Sequence, residues 1–311
     1  MNINKQLIIL SFSLFLVIAN ASAHNEKLNT MDSLVDVEWL NHHLHDSNIV
    51  VIDASVNISF NKEGQFSMQS GNNSYQQKHI PHAIFADLLT NLSAKDTKLN
   101  FVMPTPKNFQ KALNDLGVHN SSHVVIYSTK PNQSWAQRLW WMFKWAGHEN
   151  VAVLDGGFKA WVDAGFNVSS YTRKIKTSQY KLHLKKNLIA NQDEVNRAIY
   201  DKTTIIDALS PSHYSGEFSM YSRSGHIKSA INAPTDSLFL ESGKFKPLDQ
   251  LNKLFHLNTN SRVISYCGGG VAASSIAFTL HRLGYKDVAV YMGSLQEWVT
   301  NDKNPMTIGG Q

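Results

Sequence analysis

A single cysteine, Cys267, is all that this 311-residue chain carries. No internal disulfide can form, so the fold must be held by packing. A lone thiol is either buried and inert or present for its reactivity. Counting alone favours burial, because free cysteine is among the most buried residue types. Blocks of lysine and arginine are also missing. The net charge is a modest +5, which argues against a nucleic-acid footprint and leaves a mild positive field that would gather small anions. Metal-ligand spacing is lacking too. His42, His43 and His45 cluster, but on a stretch that reads as a surface helix, and no metal is expected.

Only one long apolar run occurs. Residues 7–19 are almost continuously apolar, Lys5 precedes them, and Ala21-Ser22-Ala23 supplies a small-x-small pattern. This is the design of a cleaved secretory leader over residues 1–23. The run is short for a bilayer span and no second one follows. The expected mature protein therefore starts near His24, is secreted (to a periplasm), and has no membrane segment. No cysteine stands at the cleavage point, so a lipid anchor is not expected there. The remaining length suits two domains, and 42% hydrophobic content is enough for ordinary cores.

What is present is an internal repeat. Val50-Val51-Ile52-Asp53-Ala54 recurs as Thr204-Ile205-Ile206-Asp207-Ala208. His79-Ile80-Pro81-His82-Ala83 recurs as His226-Ile227-Lys228-Ser229-Ala230. His123-Val124-Val125-Ile126-Tyr127 matches Arg262-Val263-Ile264-Ser265-Tyr266, and Trp161 matches Trp298. The order is the same in both halves, so the period marks a duplicated domain and not a short-repeat solenoid.

Within each half, short apolar runs rich in β-branched residues alternate with helical patterns. Runs at 49–52, 123–127 and 151–154, and again at 204–207, 262–266 and 288–291, read as strands buried on both faces. Segments 134–146 and 271–283 read as helices, closed by Gly147 and Gly284 at their C-termini. Strand–helix–strand alternation predicts an α/β fold with parallel sheets covered by helices on both faces. The polar segment 169–184 lacks a clear period and reads as a linker between a domain at 31–168 and one at 185–311.

Cys267 falls where such a fold concentrates function, at the carboxyl end of a strand. Gly268-Gly269-Gly270 follow, and Val271-Ala272 open the next helix. A glycine-rich turn can aim its N–H groups inward as an anion nest, and the helix directs its positive end at the same point. Both favour thiolate over thiol. The corresponding position in the first half is Ser128, followed by a non-glycine loop. One half carries a nucleophile and the other does not.

These stretches, with Trp140-Trp141-Met142-Phe143 and Leu154-Asp155-Gly156-Gly157-Phe158, resemble the tandem rhodanese family of thiosulfate and 3-mercaptopyruvate sulfurtransferases. The resemblance runs from about residue 34 to 298 and implies two tandem rhodanese-like domains, the second catalytic. It implies a Cys267 persulfide, held by Gly268, Gly269, Gly270, Val271 and Ala272. That persulfide would take sulfur from a small anionic donor (3-mercaptopyruvate or thiosulfate) and pass it to cyanide, a thiol or a thioredoxin-like acceptor. No cofactor is implied. The loop Cys-Gly-x-Gly-Val is nearer the mercaptopyruvate branch. The chain departs from the family at Leu209, at His213 where an arginine is usual, at Gly269 and at Ala272. The resemblance leaves Arg223, aided by His213 in acid, to bind the donor. Activity should then improve as pH falls. Two rivals stand beside this reading. A phosphatase loop would need arginine where Ala273 stands. A rhodanese-fold module that binds or senses sulfur species without turnover is the other.

Overall fold

The computed structural model describes residues 31–60, 66–95, 97–130 and 132–310. The leader read at residues 1–23 lies outside the described residues. Among those described, no helix is long and apolar enough to cross a membrane.

From Ser33 onward the chain forms one compact unit that contains two five-stranded parallel sheets. The first runs Leu34–Val35, Val151–Leu154, His123–Tyr127, Ile49–Asp53, Ile84–Phe85 across the sheet. The second runs Ile189–Ala190, Val288–Tyr291, Val263–Tyr266, Thr204–Asp207, Ile231–Asn232. The two orders match strand for strand, so the sequence repeat is a repeat of topology. An antiparallel ribbon, Val56–Phe60 with Phe66–Ser70, belongs to the first half.

Alternate residues of each central strand point to opposite faces, and both faces are covered. In the second sheet, Ile206, Val263 and Val290 pack towards the Val271–Arg282 helix, in a cluster that includes Ile276 and Phe278. Their neighbours Ile205, Ile264 and Ala289 pack the other way, with Val195, Leu295 and Trp298. In the first sheet, Val50, Ile52, Val124 and Ile126 join the Ser134–Trp145 helix, while Val51 and Val125 are equally buried on the opposite face.

The aromatic stripe of the Ser134–Trp145 helix is core. Trp140 is fully buried and meets the Phe278 ring edge-on at 4.8 Å. Its indole N–H donates to the Val151 carbonyl at 2.8 Å. The two corresponding helices, Ser134–Trp145 and Val271–Arg282, thus pack on each other and merge the halves into one apolar cluster. Both stop in the same way. Gly147 and Gly284 adopt left-handed φ of 82° and 84°, and the next amides, His148 and Tyr285, reach back to the Phe143 and Leu280 carbonyls.

The segment 169–184 has no regular element, yet it is not a free tether. Ser169 exchanges both backbone bonds with His79, the Ser178 hydroxyl donates to the Val118 carbonyl at 2.5 Å, and Tyr180 is buried. Buried backbone needs partners, and this stretch finds them along the first half. Replacing Trp140 by Ala should remove one of the contacts that join the halves and cost about 3–5 kcal/mol of stability in urea unfolding. A loss under about 1 kcal/mol would contradict a shared core at this point.

Candidate active site

Val263–Tyr266 is the middle strand of its sheet, and the chain leaves it on the opposite side from the connection that follows Thr204–Asp207. Cys267 therefore sits at the topological switch point, where an open α/β sheet splays to make a crevice. The residue is 3% exposed and lines a cleft of about 1070 Å³ between the halves. Trp135, Phe101 and Ile58 form part of the first-half wall; Tyr221, Gln296 and Val299 form part of the second-half wall.

The loop offers the sulfur a donor. Gly270 N–H donates to Cys267 Sγ at 3.1 Å, and Gly268, Gly269, Val271 and Ala272 line the cleft around it. The carbonyls are turned elsewhere. Cys267 and Gly268 carbonyls accept from Leu295 and Gln296 amides at 3.0 and 3.1 Å. Cys267 N–H donates to the Ser294 hydroxyl at 3.2 Å, which itself donates to the Tyr291 carbonyl.

Space explains the three glycines as much as backbone freedom does. A Cβ on Gly268 would run into the Tyr221 hydroxyl. One on Gly269 would come within 3.2 Å of Phe101 and 3.1 Å of Gln296. Gly270 has φ +80°, and a Cβ there would meet the Arg138 guanidinium at 2.8 Å. Tyr221 is held as the protonated phenol, raised by burial and then by the negative charges of Cys267 and Asp207.

Below the loop, a brace recurs in both halves. Tyr266 donates to Asp207 Oδ2 at 2.7 Å and accepts from Ile227 N–H at 3.0 Å. Tyr127, at the matching place in the first half, accepts from Ile80 N–H at 3.2 Å and interacts with Asp53. His226 stacks on Tyr214 at 3.7 Å and bonds its carbonyl, as His79 does with Tyr75. The repeated Asp and His-Ile motifs are thus scaffold, fastening strand to loop. Asp87 caps its own turn by accepting from Leu89 N–H.

The matching loop of the first half is built differently. Gln133, with φ +48°, folds its carboxamide back so that Oε1 accepts from Ser128 N–H at 3.1 Å.

The two expected donor contacts lie elsewhere. Arg223 donates to the Asn301 and Asn304 carbonyls at 3.1 and 2.9 Å and is not among the cleft-lining residues. His213 bonds Ser210 Oγ at 2.8 Å and packs edge-on against Phe218, also away from the cleft. Burial lowers its pKa, so protonation of this ring falls at lower pH than that of a free histidine. Among the described residues, the lining cations are Lys98 and Lys130 of the first half, with Asp236 as the acid. His42, His43 and His45 gather no metal site among the described residues; His43 bonds Asp46.

The rhodanese-like domain family matches residues 36–164 and 191–301. A thiosulfate/3-mercaptopyruvate sulfurtransferase of Arabidopsis thaliana is 31% identical, over 93% of this chain and 90% of its own. A thiosulfate sulfurtransferase of Gallus gallus is 31% identical over 72% of this chain and 79% of its own. The crystal structure of a 3-mercaptopyruvate sulfotransferase from Escherichia coli superposes with a TM-score of 0.76, at 27% identity, over 85% of this chain and 99% of that one. The chain belongs to the rhodanese-like family, with two such domains in tandem. It is a sulfurtransferase.

Asp207 gives this site a pH signature. Burial pushes its carboxyl up to about 6, against the lowering bonds from Tyr266 and Leu209. A folded value above the unfolded value of about 3.9 means a contribution fully present below that pH and lost as pH rises through the folded value. Relative to Asp207→Asn, the wild type should lose on the order of 3 kcal/mol between about pH 4 and 7. Urea unfolding of both proteins across that range measures it; a constant difference would contradict a buried carboxyl strained by ionisation.

Proposed function

We propose that Cys267 is the sulfur carrier of this sulfurtransferase, through a persulfide. The observation that carries the proposal is the Gly270 N–H donated to Sγ at the floor of the cleft, an arrangement that favours a sulfur anion both before and after loading. With thiosulfate, the thiolate attacks the outer sulfur; the S–S bond breaks and sulfite leaves with the electron pair. With 3-mercaptopyruvate the attack falls on the thiol sulfur, the C–S bond breaks, and the pyruvate enolate leaves and takes a proton. Either way Cys267 holds an anionic persulfide. Cyanide or a thiolate then attacks the outer sulfur and returns Cys267 as thiolate.

Donor anions meet Lys98 and Lys130 in this proposal, because these are the cations that line the cleft. The printed functions of the relatives, thiosulfate and 3-mercaptopyruvate sulfur transfer, support the donor class. The cleft volume of about 1070 Å³ is at the upper end for small-molecule sites and leaves room for a bulkier acceptor, such as a thioredoxin-like thiol, beside the donor.

Mass spectrometry of donor-treated protein tests this. One added sulfur on Cys267, discharged by cyanide or a dithiol and missing in Cys267→Ser, is the expected result. A Lys98→Ala/Lys130→Ala variant should need more donor for the same loading. A folded protein that takes no sulfur from either donor would overturn the assignment. We also propose export, from the leader composition at residues 1–23. N-terminal sequencing after expression in a Gram-negative host should begin near His24, and a mature chain that retains Met1 would contradict it.

A further inference from the structure

The half without the thiol still reaches the thiol. Arg138, on the Ser134–Trp145 helix, is 2% exposed, and its guanidinium leaves its own half for the loop of the other. Nη1 donates to the Gly270 carbonyl at 3.3 Å and to the Met292 sulfur. Nη2 donates to the Phe101 carbonyl at 2.6 Å and approaches the Met103 sulfur at 3.6 Å. All four acceptors are uncharged. Among the described residues no ion pair includes Arg138, and the group whose negative charge, when ionised, would favour its cation is Cys267. Burial lowers the guanidinium to about 10, so it stays charged near neutrality. A buried cation without a carboxylate is costly to a fold. Stability does not explain its presence.

The repeat sharpens the point. Arg138 and Ser275 are each the fifth residue of corresponding helices, and each touches the start of the other helix. Ser275 donates to Ser134 at 3.1 Å, beside the first-half loop. Arg138 touches Gly270, at the loop that holds the sulfur. A neutral hydroxyl meets the loop without the thiol and a cation meets the loop that carries it. Gly270 is moreover held on two sides, its N–H against Sγ and its carbonyl against Arg138 and the Ser274 hydroxyl.

We infer that Arg138 is a positioning residue of the active site: it pins the Gly270 carbonyl so that the N–H stays on the sulfur, and it supplies a fixed buried positive charge for the sulfur anion. The thiol-less half is then a working part of the site. The inference rests on Cys267 as the reactive group, but needs no sulfur donor to be tested. Among the described residues, four other charged or titratable groups line the same cleft. Lys98 and Lys130 come from the first half; Tyr221 and Asp236 come from the second. The two lysines and Asp236 face open solvent in the cleft and are screened by salt, whereas a wholly buried cation is not.

Alkylation of Cys267 by neutral iodoacetamide reads the thiolate directly. In Arg138→Met, the rate near pH 7 should fall at least about fivefold, with the rise of rate against pH displaced upward. Arg138→Lys, which keeps the charge without the planar fork, should recover part of the loss. Wild-type rates and pH profile in a folded Arg138→Met would overturn the inference. Should that variant not fold, the wild-type chain decides. Cys267 is converted either to the neutral carboxamidomethyl or to the anionic carboxymethyl thioether, near-isosteric groups that differ by one charge. In about 0.5 M salt the anionic adduct should melt at the higher temperature. Equal melting temperatures, or a more stable neutral adduct, would also overturn it.

Discussion

The hydrogen bond from Gly270 N–H to the Cys267 sulfur sets the terms for everything around it. A sulfur anion at a strand end needs N–H groups near it and carbonyls away from it, in a backbone that alternates the two. The loop meets this demand by giving its carbonyls to other partners. The Cys267 and Gly268 carbonyls go to the amides that open the Ser294–Trp298 helix. That of Gly270 goes to Arg138 and Ser274. The Val271–Arg282 helix adds its positive end from behind. Each glycine then leaves space for a neighbour that has to come close: Tyr221, Gln296 or Arg138.

The duplication separates scaffold from chemistry. Both halves keep the Asp–Tyr brace and the stacked Tyr–His pair, so these features answer to folding. They differ at the loop, where Ser128 N–H is bonded to the Gln133 carboxamide in one half and the Cys267 sulfur accepts from Gly270 in the other. The half without the thiol is nonetheless needed for a complete cleft. It contributes Trp135, Phe101 and both lining lysines, and the Asn100 backbone exchanges two bonds with the Gln296 carboxamide across the boundary. The donor's anion would be met from the half that lacks the nucleophile.

The central strands, both long helices, the repeat and the position of Cys267 were legible in the sequence, because each rests on local periodicity or on a glycine run beside a strand. The edge strands Leu34–Val35 and Ile189–Ala190 were not, since two residues carry no period. Nor was the Val56–Phe60 ribbon, whose polar and apolar residues give little contrast. Arg223 and His213 were expected at the donor because they stand where the family places such residues. Their side chains instead satisfy neighbouring carbonyls and hydroxyls. Arg138 and Gln133 escaped notice for a different reason. Each lies far in sequence from Cys267, one within an aromatic core helix and one in the silent loop. A single signal was available, a charged residue in an otherwise apolar stripe at Arg138.

Anomalous sulfur scattering from crystals of donor-treated protein tests the assembled site most directly. One additional sulfur bonded to Cys267, lying in the cleft beside the loop amides, with none beside Ser128, is the expected map. Additional sulfur only elsewhere on the chain, or an unmodified Cys267 in fully loaded crystals, would contradict a carrier thiol in this loop.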